Sequence, residues 1–154
     1  MKNNHLNLIL LLITAIFLLY SCNTEEPTQQ YTTAIRNTSN KPLHILILGD
    51  SIGRNTPVYD TLVNTTLNSN EIAFKKSYRS SGFNGMKVIM YYVKVTFLDN
   101  NKGYICEKDS VNNLCFENKV SLTEVYYEKD FTFENGVYYY DITQEDYENA
   151  HVLP

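Results

Sequence analysis

Short β-prone runs separated by turn-forming residues constrain this chain more than any other feature of its sequence. The clearest case lies near the C-terminus, where residues 131–134 and 137–142 flank the dipeptide Asn135-Gly136. Asn-Gly is the preferred sequence of a type I′ turn, because both central residues of that turn need a positive φ. The dipeptide and its flanking runs therefore predict an antiparallel β-hairpin.

Two further runs give strong strand predictions. Residues 43–48 form a continuous apolar stretch between Pro42 and Gly49, which is typical of a buried strand. Residues 87–98 alternate, so that Val93, Val95 and Phe97 are expected on one face of a strand. Weaker strand candidates are residues 32–36, 71–78, 104–106, 114–116, 120–122 and 124–128, whereas residues 64–70 are expected to form a loop.

The C-terminal residues predict one short helix. Thr143 can cap its N-terminus, and acidic residues follow in the first turn, with the helix ending near Ala150. The rest of the domain shows no helical stripe, and its turns are rich in Gly and Asn. Such a pattern indicates a sandwich or barrel of antiparallel strands. We expect a mainly β fold, an antiparallel β-sandwich-like domain with a short C-terminal helix.

The N-terminal segment has the anatomy of a helical signal peptide. Lys2 precedes an apolar run over residues 8–19, which is shorter than the ~20 residues that a transmembrane helix needs. The run ends in Leu-Tyr-Ser-Cys at residues 19–22, which resembles the lipobox of bacterial lipoproteins. The resemblance implies cleavage between Ser21 and Cys22. It also implies a diacylglycerol on the Cys22 thiol and a third acyl chain, commonly palmitate, on the new amine.

The expected organisation follows from that processing. Residues 1–21 form the signal peptide, residues 22–31 form the lipidated cysteine with a flexible tether, and residues 32–154 form one β-rich domain. Two or more acyl chains hold a protein firmly on a membrane. The acidic pair Glu25-Glu26 resembles the surface-export signals of some outer-membrane lipoproteins. We therefore expect an outer-membrane protein exposed at the cell surface, with the periplasmic face as the alternative.

Charge and cysteine content narrow the range of functions. The chain carries a formal charge of −4, and its longest basic cluster is Lys75-Lys76, so a nucleic-acid partner is not expected. Cys106 and Cys115 remain after Cys22 is lipidated. In an exported protein they predict a disulfide, with two free thiols as the alternative.

One motif raises the question of catalysis. The apolar strand that runs into Gly49-Asp50-Ser51 resembles the first sequence block of the SGNH (GDSL) hydrolases. That resemblance implies Ser51 as a nucleophile at the end of a parallel strand, with a His base such as His151. The Gly-x-Asn-Asp block of the family is missing, because Asn84 is followed by Gly85 rather than Asp. The late Asp-x-x-His block is also missing, and Glu148-x-x-His151 is a poor substitute for it. A hydrolase is therefore the alternative to a non-enzymatic function.

No metal site or cofactor is expected. After loss of the signal peptide, His44 and His151 are the remaining histidines, and neither has a partner at ligand spacing. The segment that begins at Asp99 has some calcium-loop character. Its twelfth position is Ser110 rather than Glu, so a hairpin turn is the better interpretation.

Tyrosine is the residue type that suggests a binding function. Runs occur at Tyr91-Tyr92, Tyr126-Tyr127 and residues 138–140, and neighbours on a strand face opposite sides. Outward-facing rings can stack on a glycan or dock a protein, although tyrosine also suits half-buried strands. We expect a membrane-anchored lipoprotein that acts as a binding or interaction module. The alternatives are the hydrolase and an accessory subunit of an envelope assembly.

Overall fold

The structure is a computed structural model that describes residues 27–50, 59–110 and 114–154. The expected signal peptide, the cleavage site at Ser21 and Cys22, and Ser51 lie outside these residues. Within the described part of the chain, no helix is long and apolar enough to span a membrane.

The described residues form nine strands and one short α-helix. The strands are β1 (Gln29–Asn37), β2 (Leu43–Asp50), β3 (Asp60–Leu67), β4 (Ile72–Ser80), β5 (Ile89–Phe97), β6 (Lys102–Glu107), β7 (Thr132–Glu134), β8 (Val137–Ile142) and β9 (His151–Val152). A 3₁₀ turn (Glu128–Asp130) precedes β7, and helix α1 (Gln144–Glu148) follows β8.

The strands assemble into two sheets. The first has the order β4-β1-β8-β7 and the second has the order β3-β2-β5-β6-β9. Pairing is antiparallel throughout the second sheet, and in the first sheet the β1–β8 pair is parallel. This arrangement confirms the expected mainly β, sandwich-like fold.

The core lies between the two sheets and is built from alternating residues. On β5, Val93, Val95 and Phe97 are all buried, as the alternation predicts. They stand opposite the equally buried Ile47, Ile45 and Leu43 of β2. The first sheet adds inward side chains to the same cluster, among them Ile35, Tyr140 and Ile142.

The hairpin and helix predictions are also confirmed. Asn135 and Gly136 both adopt positive φ, at 50° and 79°, between β7 and β8. Thr143 caps α1 through its side-chain oxygen, which accepts from the Asp146 backbone N–H at 3.2 Å. The Asp146 carboxylate accepts in return from the Thr143 backbone N–H at 2.7 Å. This reciprocal capping box stabilises a helix of only five residues.

Several weak predictions are wrong. The first four residues of the expected loop, 64–67, belong to β3, because they pair with β2 and because Leu67 is buried in the core. Residues 114–116, 120–122 and 124–128 form no strand. Their apolar side chains instead pack from irregular backbone, with Leu122 and Val125 in the core.

The start of the domain also differs from the prediction. β1 begins at Gln29, so residues 29–31 of the expected tether pair with β4. Tyr31 is buried, and its ring packs against the rings of Tyr78 and Phe83 with centroids 5.5 Å away in each case. These contacts bring the last tether residues into the sheet.

Lys119 connects the C-terminal segment to the rest of the domain through several contacts. Lys119 donates to the Asp146 carboxylate at 2.5 Å and to the Asp141 carbonyl at 2.8 Å. Its ammonium lies 4.5 Å and 4.7 Å from the ring centroids of Phe116 and Tyr140. Burial lowers the pKa of Lys119, and the charge of Asp146 counteracts that effect.

Candidate ligand-binding groove

Two β-bulges disrupt the second sheet at the end of β2. The register between β2 and β5 shifts between Leu48 and Gly49, so that Tyr91 has no partner on β2. On the other side, the register between β2 and β3 shifts after Ile47 and leaves Leu62 as the extra residue of β3. A bulge bends its strand and re-aims side chains, and bulges are common beside binding sites.

The bulges create a groove on the outer face of the second sheet. Its volume is about 340 Å³, within the range of roughly 300–1,000 Å³ typical of ligand sites. Its lining consists of three tyrosines, one leucine, one acidic residue and one basic residue: Leu48, Tyr59, Tyr91, Tyr92, Glu107 and Lys108. Because Tyr91 occupies the bulge, both members of the Tyr91-Tyr92 pair line the groove, rather than facing opposite sides as expected.

Strand pairing fixes the positions of the groove residues. Leu48 pairs with Tyr92, and Tyr92 pairs with Glu107, so these three side chains form one row across the sheet. Tyr91 holds the turn after β6, since its carbonyl accepts from the Lys108 backbone N–H at 2.8 Å. The groove therefore rests on paired strands and not only on loops.

The tyrosine rings give the groove its shape. Tyr59 is 61% exposed, and its ring stands almost perpendicular to the Tyr91 ring, at 80° with centroids 5.4 Å apart. The Lys108 ammonium lies 5.6 Å from the Tyr91 ring centroid. Burial raises the pKa of Tyr92, and the carboxylate of Glu107 adds to the effect. A phenol is protonated at neutral pH even at its usual pKa, so the Tyr92 hydroxyl can both donate and accept a hydrogen bond.

Two other concave sites are less suited to a ligand. A cavity beside His151 has a volume of only about 140 Å³, below the typical range for a ligand site. A trough of about 530 Å³ between the edge strands β3 and β4 is larger, but Phe74 is the single aromatic residue in its lining. The groove lined by Tyr59, Tyr91 and Tyr92, called the tyrosine groove below, combines adequate volume with several aromatic and polar groups.

The described structure bears on two parts of the hydrolase resemblance, the strand that leads to Ser51 and the position of His151. Ser51 lies outside the described residues. β2, which leads to it, has antiparallel partners on both sides, whereas the resemblance implies a parallel strand. His151 lies on the edge strand β9, and its Nε2 is 3.2 Å from the Cys115 carbonyl oxygen. The topology that the resemblance implies is therefore not the one observed.

The two domain cysteines are joined. Cys106 on β6 forms a disulfide with Cys115, with Cα atoms 4.7 Å apart. The backbone of the same loop is fixed by a hydrogen bond from the Ile105 N–H to the Leu114 carbonyl at 2.9 Å. Among the described residues, no group of His, Cys, Asp and Glu is arranged to hold a metal ion.

The other tyrosine runs agree only in part with the expected alternation. Tyr126 and Tyr127 lie outside any strand, and both rings are exposed. Tyr139 and Tyr140 face opposite sides of β8, yet both are buried. The outward ring of Tyr139 is covered by Arg36, whose guanidinium carbon lies 4.1 Å from the ring centroid.

Most residues of the groove carry no recognisable signal in the sequence. No sequence motif includes Leu48, Tyr59 or the pair Glu107-Lys108. The usable signal was Gly49, because a glycine within a strand pattern often marks a bulge. The apolar pattern predicts that the strand ends before Gly49, whereas β2 continues to Asp50.

Comparison of the chain with protein-family models, with curated proteins and with solved structures finds no match in any of the three. The protein is therefore described by its structure alone, as a small β-sandwich-like domain with an aromatic groove on one outer face.

Proposed function

We propose that this protein is a lipid-anchored binding protein of the bacterial envelope, whose β-sandwich-like domain presents a ligand groove at the cell surface. The observation that supports binding is the groove itself, in which the bulge at Tyr91 places three tyrosines beside one another on an outer face. Solvent-accessible tyrosines are a common means of ligand contact, since each ring combines a rigid apolar surface with a polar tip.

The proposed anchor is supported by the sequence at residues 19–22. A lipid on Cys22 would hold the mature chain at a membrane, with residues 23–28 as the link to β1.

The anchor is tested by expressing Cys22→Ala in a bacterial host that processes lipoproteins. We expect the wild type to incorporate labelled palmitate and to fractionate with membranes, and the variant to lose both properties. Ser21→Ala, which keeps a small residue before the cysteine, is the matched control and should be lipidated. Equal labelling of wild type and Cys22→Ala would refute the anchor.

Surface display is tested separately by protease shaving of intact cells of a species that natively carries the protein. A surface-exposed domain is degraded without lysis, while a periplasmic marker protein stays intact. Protection of the domain until the outer membrane is opened would place it on the periplasmic face and refute surface display. Co-purification of fixed amounts of other envelope proteins, unaffected by changes in the groove, would support the accessory-subunit alternative.

A further inference from the structure

We propose that the tyrosine groove binds a neutral saccharide, an inference that rests on the proposed binding function. The ring arrangement is the first argument. Tyr59 and Tyr91 stand at 80° to each other, and Tyr92 lines the same groove. A sugar ring has apolar C–H faces that stack on aromatic rings and hydroxyl groups around its edge. An angled pair of tyrosines can contact one face of a sugar while a neighbouring ring or hydroxyl meets its edge.

The polar groups of the groove match a polyhydroxylated ligand. The exposed carboxylate of Glu107 accepts hydrogen bonds, and the ammonium of Lys108 donates them. The tyrosine hydroxyls can do both. Sugar hydroxyls also donate and accept, so each of these groups has a partner of the correct type.

Charge favours a neutral ligand over an anionic one. Glu107 and Lys108 carry opposite charges at adjacent positions of the groove, which leaves its lining with no net formal charge. The whole chain is acidic, with a formal charge of −4, and this field repels polyanions. Acidic polysaccharides and nucleic acids are therefore poor candidates.

The size of the groove favours a small ligand over a protein partner. A stable protein interface buries roughly 800 Å² on each side. The neighbouring row of the outer face contains Asn64, Leu46, Lys94 and Ile105, so polar and apolar side chains alternate along it. The row beyond it contains Thr66, His44 and Thr96, so no continuous apolar surface extends from the groove along these strands. A volume of about 340 Å³ suits a short stretch of saccharide better than a protein docking surface.

The test uses the full lipidated chain, purified in mild detergent, and isothermal titration calorimetry. The probes are neutral oligosaccharides of glucose, xylose, mannose and galactose, with heparin as the anionic comparison. We expect saturable binding of at least one neutral series and none of heparin. Tyr59→Ala and Tyr92→Ala should each weaken that binding about tenfold or more, whereas Tyr59→Phe should retain most of it because the stacking face remains.

Tyr127→Ala is the matched control, because Tyr127 is 65% exposed and does not line the groove. It should leave saccharide binding unchanged. Binding of heparin alone, no binding of any neutral series, or an equal loss in Tyr127→Ala would overturn the saccharide proposal. If a purified envelope protein instead binds the chain and Tyr59→Ala abolishes that complex, the saccharide proposal fails while the binding function stands. Circular dichroism and urea unfolding of each variant verify that it is folded.

Discussion

Gly49 lies so close to the main chain of Ile89 that a Cβ atom on Gly49 would stand 2.3 Å from the Ile89 carbonyl oxygen. The same Cβ would meet the Leu62 side chain at 2.6 Å. Gly49 therefore permits close contact on both sides of β2, where the bulges of β3 and β5 occur. Tyr91 is the extra residue of the β5 bulge beside Gly49, so the close contact at Gly49 is connected to the position of Tyr91 in the groove.

Gly49→Ala should destabilise the domain and alter the groove. The added methyl group meets fixed backbone, so overpacking should cost about 1–3 kcal/mol in the free energy of unfolding. Urea unfolding measures that loss, and any saccharide found to bind the wild type should bind the variant more weakly. Gly82→Ala is the control, because a Cβ there meets no atom within 4 Å. Equal stability of the two variants would show that the contact between Gly49 and Ile89 is not structurally important.

Removing the disulfide should destabilise the domain. The bond between Cys106 and Cys115 closes a loop of sequence separation 9, and the chain-entropy model assigns such a loop about 2.5–3 kcal/mol. The double variant Cys106→Ala/Cys115→Ala should lose about that amount in urea unfolding. A reducing agent should destabilise the wild type but not the double variant. Identical unfolding curves of oxidised and reduced wild type would contradict the prediction.

Stability should fall at alkaline pH because of buried tyrosines. Burial raises the pKa of Tyr140 well above its usual value, and it raises the pKa of Tyr104 to about 12. In the unfolded chain these phenols ionise near pH 10, whereas in the folded protein they stay protonated. The unfolded state then binds fewer protons, so the free energy of unfolding decreases as pH rises above about 10.

Tyr140→Phe tests the alkaline effect. It removes the hydrogen bond from the Tyr140 hydroxyl to the Val120 carbonyl at 2.8 Å, which should cost about 1 kcal/mol at neutral pH. Above pH 10 the stability of the variant should fall less steeply than that of the wild type. Urea unfolding at a series of pH values gives both slopes, and parallel slopes would exclude Tyr140 as a source of the effect.

The Lys119–Asp146 pair should contribute more than a surface ion pair. Side-chain exposures are 24% for Lys119 and 11% for Asp146, so removing one charge leaves a largely buried partner unpaired. Asp146→Asn should lose about 3 kcal/mol in the free energy of unfolding. Lys119→Met should lose less, since a methionine can pack against Phe116 and Tyr140.

The control for that pair is Lys41→Met. Lys41 forms an ion pair with Asp99 at 2.9 Å, but both side chains are about one-third exposed. Solvent screening weakens such a pair, so this variant should stay close to the wild type in urea unfolding. Equal losses for Asp146→Asn and Lys41→Met would argue against a special role for the buried pair.

Sequence patterns predicted the elements that depend on residues close together in the chain. Asn135-Gly136 formed the expected hairpin turn, and Thr143 capped the expected helix. The alternation of Val93, Val95 and Phe97 correctly identified a core-facing strand. Residues 64–67 were missed because their burial and pairing depend on β2, which lies some twenty residues earlier in the chain.

The sequence by itself determined the β-rich character, the hairpin and the helix cap, since each depends on a few adjacent side chains. Lipid attachment at Cys22 stays a prediction. Only the tertiary structure decided which tyrosines share a surface. Tyr59, Tyr91 and Glu107 lie just before β3, on β5 and on β6, and they share one groove because these strands lie side by side with β2 in one sheet and a register shift leaves Tyr91 without a partner on β2. Register is a property of paired strands, so no single run of residues could reveal it.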